Sequence, residues 1–214
     1  MSPKRTGLTR ESIIDAAKVL ADGEGLESLS MRKLAGALGV QAMSLYNHVD
    51  GRDDLLDGLV EAVVSEFDVP AVGGDWKDGM RRRARSVHQV LLRHPWAITL
   101  LLTRENAGPN MLRFVDATLG CLVSAGFPYS LADHAWNAMD NHIYGYTLQE
   151  VNFPFEEDRY AEAAEEYRSV LEAGDYPHLA AITGQIIRGE YSGIHDFDFG
   201  LDIILDGLER IASA

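Results

Sequence analysis

The sequence of 214 residues has a single cysteine and no long hydrophobic run. One cysteine, Cys121, excludes an intramolecular disulfide and is usual for a protein of a reducing compartment. The N-terminal residues are polar and lack the apolar core of a secretory signal. No segment approaches the roughly 20 apolar residues that a membrane-spanning helix requires. These absences predict a cytoplasmic protein with no membrane partner.

Motifs that mark common enzymes are also missing. The chain has no glycine-rich phosphate loop, nucleophile elbow or HExxH sequence. Its seven histidines are not arranged at the short spacings of a zinc site. We therefore expect neither enzymatic activity, nor a metal site, nor a cofactor.

Positive charge is scarce, since the net charge is −14, and this argues against a general nucleic-acid-binding surface. The charge is unevenly distributed, however. Residues 1–52 carry seven Lys or Arg and six Asp or Glu, whereas residues 53–214 carry twelve and twenty-seven. Lys4, Arg5 and Arg10 come first, without an acid among them. Contact with DNA is therefore plausible only at the N-terminal end.

Residues 30–48, SMRKLAGALGVQAMSLYNH, contain two short helical patterns separated by a glycine. Ser30 is a good N-cap for the first helix. Gly39 is suited to the left-handed conformation that ends a helix, with Val40 packing back against it. The apolar residues of the first helix recur at i, i+3, i+4 and i+7, which places them on one face: Met31, Leu34, Ala35 and Leu38.

The second helix buries only Leu45 and Val49. The remaining side chains are small or polar and have nothing obvious to pack against: Ala42, Met43, Ser44, Tyr46, Asn47 and His48. Hydroxyl, amide and imidazole groups on an exposed helix suit contact with phosphates and base edges. The pattern predicts a helix-turn-helix unit whose second helix reads DNA.

Two further helices complete the unit. Thr9 is a candidate cap for a preceding helix with an apolar stripe, and Asp50 is a candidate cap for a fourth helix. The stripe comprises Ile13, Ala17, Leu20 and Ala21, and the fourth helix has Leu55, Leu59 and Val63. We predict a homeodomain-like helical bundle over residues 1–50 and a connecting helix within residues 51–70.

The remaining chain, residues 71–214, shows helical patterns and almost no support for strands. We predict helices near 75–93, after Pro95, and over 109–125, 130–152, 177–188 and 197–212. The acidic segment 153–175 is either partly helical or mobile. The expected fold class is all-α, with a larger effector-binding and dimerisation domain after the DNA-binding bundle.

Four arginines between residues 81 and 85 permit two interpretations. They form either a second nucleic-acid patch or a solvated, salt-bridged helix face. The second interpretation is favoured, because the arginines do not all project in one direction and acids abound in this half of the chain.

The motif LSMRKLAGALGV followed by SLYNHV resembles the tetracycline-repressor (TetR) family of bacterial regulators. In the C-terminal half, LLRHPWAITLLLTRENAGPN and DFDFGLDIILDGLERI are also similar to the tetracycline-repressor subgroup. The resemblance implies a homodimer that binds an operator in double-stranded DNA and a small-molecule effector. It also implies a dimer interface built from the helix near 130–152 and the last helix. The broad apolar stripe of the last helix suits that interface: Leu201, Ile204, Leu205 and Leu208.

The resemblance implies a set of DNA contacts by position: Arg32, Ala42, Met43, Ser44, Tyr46, Asn47, His48 and Arg52. Ser44 and Tyr46 are suited to phosphates, Arg32 to a phosphate or a guanine edge, and Asn47 to a base edge. Ala42 and Met43 depart from the tetracycline repressor itself. We therefore expect an operator different from the tetracycline operator.

The resemblance implies a set of effector-binding positions: Asp68, Arg83, Val87, Leu100, Thr103, Arg104, Met111, Asn141 and Gln149. We add three further residues as lining of the effector site: Trp96, Phe114 and His142. Leu100 cannot bind a metal, and amides are poor anchors for Mg²⁺, which argues against magnesium-tetracycline. A one-residue slip to His142 and Glu150 restores polar ligands but rotates the helix by about 100°.

The arginines favour an effector with a carboxylate, phenolate or carbonyl group. In the alternative, either arginine pairs with an acid such as Asp68 or Glu150 and does not meet the effector. The prediction as a whole is a ligand-responsive transcriptional regulator, most simply a repressor. Two other functions stay open: a helical ligand-binding protein or enzyme that kept the N-terminal fold, and a dimerisation module that controls a partner protein.

Overall fold

The computed structural model describes residues 7–154, 159–190, 192 and 196–213. This part of the chain forms eleven α-helices and a short 3-10 turn, and contains no strand, as predicted for an all-α protein. Lys4 and Arg5 lie outside the described residues. The helices are α1 (Arg10–Glu24), α2 (Met31–Leu38), α3 (Ala42–Leu45), α4 (Arg52–Val64), α5 (Trp76–Arg93), α6 (Trp96–Thr103), α7 (Pro109–Ser124), α8 (Tyr129–Val151), α9 (Tyr160–Ala173), α10 (Pro177–Ile187) and α11 (Phe197–Ala212).

The N-terminal helices begin and end where the local signals place them. The Thr9 hydroxyl accepts from the Ser12 amide at 3.1 Å, and the Ser12 hydroxyl accepts from the Thr9 amide at 3.0 Å, which makes a reciprocal cap. Ser30 caps α2. Gly39 ends α2 with φ of 67°, in the left-handed region. The Val40 amide then donates back into the last turn of α2.

The predicted cap of α4 is wrong. Gly51, with φ of 108°, precedes α4, and no side chain caps the helix. Asp50 does not accept from the helix; instead its amide donates to the carboxylate of Asp54 at 2.9 Å. Asp54 also binds the guanidinium of Arg10, at 2.5 and 2.6 Å. The charge of Arg10 is therefore compensated within the N-terminal unit.

One apolar core runs through the N-terminal unit and into the C-terminal helices. Leu34 of α2 and Leu45 of α3 are fully buried within it. The connecting helix α4 belongs to both parts, because it packs against α1 and also against α6 and α7. Movements of α4 therefore affect the N-terminal unit and the C-terminal helices together.

In the C-terminal part, α8 packs against α5, α7 and α11. A ladder of ion pairs joins α5 to α11, with partners spaced four residues apart along both helices: Lys77–Asp206 (2.7 Å), Arg81–Asp202 (2.6 Å) and Arg85–Asp198 (2.8 Å). Arg82 pairs with Asp78, and Arg83 with Asp140. All four arginines of residues 81–85 thus form ion pairs within the chain, which supports the salt-bridged helix over the nucleic-acid patch.

The acidic segment is helical over Tyr160–Ala173, and α9 packs mainly against α10. Cys121 is buried, and burial raises the pKa of its thiol. Among the helices that the structure describes, none combines the length and the apolar composition needed to cross a membrane.

Candidate nucleic-acid interface and effector region

The N-terminal unit presents one exposed surface at α3 and the residues that follow it. Met43 is 73 % exposed and Tyr46 is 47 % exposed, and both Asn47 and His48 are also exposed. Leu45, beneath them, is fully buried. Together with exposed Arg32 of α2, these side chains form what we call the α3 face: Arg32, Met43, Tyr46, Asn47 and His48.

Three residues predicted to contact DNA are placed differently. Ala42 and Ser44 are half-buried, and Ala42 packs against the core. Arg52 is exposed, and its Nη1 donates to the carbonyl oxygen of Leu29 at 2.5 Å. Because that bond joins the start of α4 to the segment before α2, Arg52 is engaged in holding the unit together. Arg52 is nevertheless an exposed residue, and its role as a DNA contact stays a prediction.

Arg83 is the centre of a buried polar cluster in the C-terminal part. Its side chain is fully buried on α5. Nε donates to the Thr118 hydroxyl at 3.0 Å, and Nη2 donates to Oδ1 of Asp140 at 2.7 Å. The guanidinium carbon lies 4.6 Å from the centroid of the Phe114 ring, within range of a cation–π contact. Nε1 of Trp136 donates to the other oxygen of Asp140 at 2.6 Å.

Apolar side chains from the same region belong to the core. Val87, Leu100 and Phe114 are buried, and Met111 is half-buried against them. Tyr144 of α8 lies where burial raises the pKa of its hydroxyl well above the ordinary range, with Asp140 raising it further. Of the predicted effector residues, Arg83 contacts Phe114, and Val87, Leu100 and Met111 lie in or against the same apolar core.

Four other predicted effector residues are exposed: Asp68, Thr103, Asn141 and Gln149. On α8 the inward face is made by Asp140, Ile143 and Thr147 instead. Neighbouring residues of a helix point about 100° apart. The family resemblance selected Asn141, but the residue that faces the interior is its neighbour Asp140. Asp140 could have been found from the sequence, because α8 has an acid there, one residue before Asn141.

His142 and Trp96 are also displaced from the predicted site. Nε2 of His142 lies 3.0 Å from the carbonyl oxygen of Phe197, and its ring stacks on the Phe197 ring. Trp96 donates from Nε1 to Asp22 of α1 at 2.7 Å. His142 therefore packs against α11, and Trp96 lies at the junction with the N-terminal unit.

Arg104, the remaining predicted anchor, binds α4. Its Nη2 lies 2.7 Å from Oδ1 of Asp57, and Nη1 lies 3.1 Å from Oδ1 of Asp53. Neither Arg83 nor Arg104 therefore pairs with Asp68 or Glu150, the acids named from the sequence. Each arginine pairs instead with another acid of the chain, Arg83 with Asp140 and Arg104 with Asp53 and Asp57, and contact of either arginine with an effector stays a prediction.

Glu61 continues the same row of acids on α4 and was missed from the sequence. Its two carboxylate oxygens accept from the first amides of α7, at 2.8 Å from Asn110 and 3.1 Å from Met111. A carboxylate at a helix N-terminus is favoured by the helix dipole. Asp53, Asp57 and Glu61 are spaced by four residues, so the signal was present as one charged face of α4.

A second junction joins the end of α5 to α1. Nδ1 of His94 lies 2.7 Å from Oδ1 of Asp22. Glu66, after α4, binds Lys18 at 2.6 Å and Arg93 at 2.9 Å. Burial of Glu66 alone would raise its pKa, but the hydrogen bonds from Lys18 and Arg93 outweigh it and lower the pKa to about 2.

The residues predicted for the dimer interface are largely inside the chain. Leu201 and Leu205 are fully buried and Leu208 is 7 % exposed, whereas Ile204 is half-buried. A side chain already buried in its own protomer has little surface left for a partner to cover, so Leu201, Leu205 and Leu208 need correction as interface residues, whereas the interface role of Ile204 stays a prediction. The exposed apolar residues of α11 lie on another face: Phe199, Ile203 and Ile211.

The sequence matches two family models. Residues 13–59 match the model of bacterial regulatory proteins of the tetR family, and residues 69–212 match the model of the tetracycline-repressor-like C-terminal domain. The chain belongs to the TetR family. The family confirms the resemblance drawn from the helix-turn-helix motif, and the chain is a transcriptional regulator with a DNA-binding N-terminal unit.

Three similar proteins are a regulator, a repressor and a solved structure. An HTH-type transcriptional regulator of Saccharopolyspora erythraea is 36 % identical over 174 residues, covering 81 % of this chain and 74 % of that protein. The repressor DrrR1 of Streptomyces coeruleorubidus is 31 % identical and covers 99 % of this chain and 80 % of its own. Among solved structures, one similar protein is the TetR family protein ActR of Streptomyces coelicolor, in complex with actinorhodin. The two structures superpose with a TM-score of 0.80 at 30 % sequence identity, and the match covers 98 % of this chain and 100 % of ActR.

Proposed function

We propose that the chain is a cytoplasmic repressor that binds a palindromic operator as a homodimer and changes its affinity for DNA when a small molecule binds the C-terminal helices. The α3 face carries the proposal. It is an exposed group of hydroxyl, amide, imidazole and guanidinium side chains on an otherwise acidic chain. These side chains lie at and around α3, the helix that a helix-turn-helix protein places in the major groove.

We infer distinct roles within the α3 face. Tyr46 suits a phosphate, which fixes position without reading sequence. Asn47 suits the edge of an adenine. The thioether of Met43, 73 % exposed, suits an apolar contact such as a thymine methyl group. With Ala42 and Met43 on this helix, we expect an operator different from the tetracycline operator.

For the dimer, we propose the exposed face of α11 in place of the buried stripe. Phe199 and Ile203 are 67 % and 57 % exposed, and large apolar side chains at such exposure favour an interface. A symmetric dimer then places two α3 faces one helical turn apart on DNA, roughly 34 Å.

For the effector, we propose the region between α5, α7 and α8, where Arg83, Asp140 and Phe114 meet. Recognition without Mg²⁺ is favoured, because Leu100 is apolar and buried and Asn141 is exposed. Hydride or acyl-transfer chemistry has no support in the residues of this region, so regulation is preferred over an enzymatic function.

For the coupling, we propose the row of acids on α4. Asp53 and Asp57 bind the residue that ends α6, and Glu61 binds the start of α7. An effector that binds two arrangements of α6 and α7 with different affinity shifts α4, and with it the α3 face.

The experiment is selection of bound duplexes from a random pool, followed by footprinting on the enriched sequence. The proposal predicts an enriched palindrome with half-sites about one turn apart, bound with an affinity that falls steeply as salt rises. Enrichment of no palindrome contradicts the proposal. Binding that is independent of sequence favours the alternative, a protein that kept the fold without an operator.

A further inference from the structure

Arg83 is fully buried, yet its Nη1 atom has no hydrogen-bond acceptor among the residues that the structure describes. An arginine offers five N–H donors, two of them on Nη1. Nε is used by Thr118 and Nη2 by Asp140. Because a buried donor without a partner is destabilising, the free Nη1 indicates that its acceptor is supplied from outside the chain.

The aromatic residues of the Arg83–Asp140 cluster suit an aromatic or conjugated molecule. Phe114 lies against the guanidinium, with 4.6 Å between the guanidinium carbon and the ring centroid. Trp136 is fixed nearby through its bond to Asp140. Tyr144 follows Asp140 by one helical turn. Flat aromatic surfaces and a few polar atoms are the usual lining of a small-molecule site.

The charge of the cluster restricts the acceptor. Asp140 compensates Arg83, and both oxygens of Asp140 are already occupied, by Arg83 and by Trp136. A carboxylate at Nη1 would therefore add a net negative charge to a buried, neutral pair, which is costly. An uncharged oxygen accepts the same N–H groups without that cost.

We propose that Arg83 Nη1 donates to an uncharged oxygen of the effector, such as a ketone, quinone or amide carbonyl. This inference rests on the proposed ligand-responsive function. Of the three effector groups that the sequence favoured, a carboxylate, a phenolate or a carbonyl, it selects the carbonyl. Asp140 is then a specificity residue, because its charge excludes anions.

Three fragments of similar size test the proposal: acetophenone (a neutral carbonyl), benzoate (an anion) and ethylbenzene (no acceptor). Their dissociation constants are measured on the full chain by ligand-observed NMR. We expect acetophenone to bind the wild type at least about ten-fold more tightly than either other fragment. Equal binding of the three, or a preference for benzoate, overturns the proposal.

The variant Asp140→Asn makes the test specific to the cluster. It keeps an oxygen for Arg83 but removes the compensating charge, so we expect the preference to reverse, with benzoate bound more tightly than acetophenone. Asp116→Asn, an exposed aspartate on α7, is the matched control and should keep the wild-type order. An unchanged order in Asp140→Asn overturns the proposal.

Should Asp140→Asn fail to fold, the double variant Arg83→Met with Asp140→Leu replaces the ion pair by apolar groups of similar volume. We expect it to bind acetophenone and ethylbenzene equally, and a retained preference for acetophenone overturns the proposal. Operator selection on the same preparation separates the two claims. If the protein binds its operator but the three fragments bind in a different order of affinity, only the proposed carbonyl recognition is contradicted. If the protein binds no operator, the proposed regulatory function is contradicted.

Discussion

Arg104 Nη2 lies 2.7 Å from Oδ1 of Asp57. This contact joins the residue that ends α6 to the middle of the connecting helix α4. Four residues further along α4, Glu61 accepts from the first amides of α7. The loop between α6 and α7 is therefore bound to α4 at both of its ends, and we expect the loop and α4 to move together.

Replacing Arg104 with Ala should loosen this loop without unfolding the protein. Exposed ion pairs contribute about 0–1 kcal/mol, and Asp53 and Asp57 are largely exposed. We expect a melting temperature close to that of the wild type, faster amide hydrogen exchange over residues 104–110, and operator affinity within about three-fold of the wild type.

Arg113→Ala, an exposed arginine of α7, is the control for Arg104→Ala and should leave exchange unchanged. Loss of operator binding in Arg104→Ala without any ligand would mean that Arg104 shapes the DNA-binding unit itself, contrary to the proposed coupling.

The Glu61 carboxylate should stabilise the start of α7. Removing it in Glu61→Ala leaves the amides of Asn110 and Met111 without their acceptor, and loss of such a cap costs about 1 kcal/mol. Urea unfolding monitored by circular dichroism measures the change. Glu105→Ala removes an exposed carboxylate from the adjacent loop and is expected to have a far smaller effect. Equal stability of both variants would show that the Glu61 contact contributes nothing.

The lowered pKa of Glu66 predicts that the folded protein loses stability in acid. Its pKa is lowered to about 2 in the folded chain by Lys18 and Arg93, against the opposing effect of burial. A carboxylate with a depressed folded pKa stabilises the fold above its unfolded value, near 4.5, and this contribution disappears as pH falls from there towards 2. Allowing for solvent screening, the contribution is on the order of 1–2 kcal/mol.

Urea unfolding of wild type and Glu66→Gln between pH 6 and pH 2.5 tests this contribution. We expect the difference in unfolding free energy between the two proteins to shrink as pH falls. Glu165→Gln, an exposed glutamate of α9, serves as the control. A difference that stays constant across this range would show that the charge of Glu66 is not responsible.

Two substitutions on α11 separate the core from the proposed interface. Ile203→Asp places a charge on the exposed face and should yield a folded monomer, since the charge is buried only in the dimer. Leu205→Asp places a charge in the fully buried core and should prevent folding. Sedimentation velocity with circular dichroism distinguishes the two results. A folded Ile203→Asp dimer would exclude this face as the interface.

Local signals predicted the N-terminal unit well because its helices depend on neighbouring residues. Thr9, Ser30 and Gly39 act within a few positions of the helix ends that they define. Asp50 failed as a cap because a competing carboxylate, Asp54, accepts the Asp50 amide and is itself oriented by Arg10, more than forty residues away in sequence. That contact has no local signature.

The effector region was harder to predict, because it depends on how long helices are rotated about their axes. The sequence marked Arg83 as a polar anchor but placed Asn141 inside, where the structure has Asp140. Helix α11 does have the predicted apolar stripe. Periodicity, however, identifies an apolar face of a helix without showing whether the same chain or a partner chain covers it. Leu201 and Leu205 are covered by the chain itself.

The central claim, that the α3 face binds DNA, is tested most directly by the anisotropy of a labelled duplex carrying the selected palindrome. Titrations compare the wild type with Tyr46→Ala and with Tyr129→Ala, an exposed tyrosine at the start of α8. We expect Tyr46→Ala to weaken binding about ten-fold or more on the palindrome and on unrelated duplexes alike, because a phosphate contact carries no sequence information. Tyr129→Ala should match the wild type. Wild-type affinity in Tyr46→Ala would contradict the account.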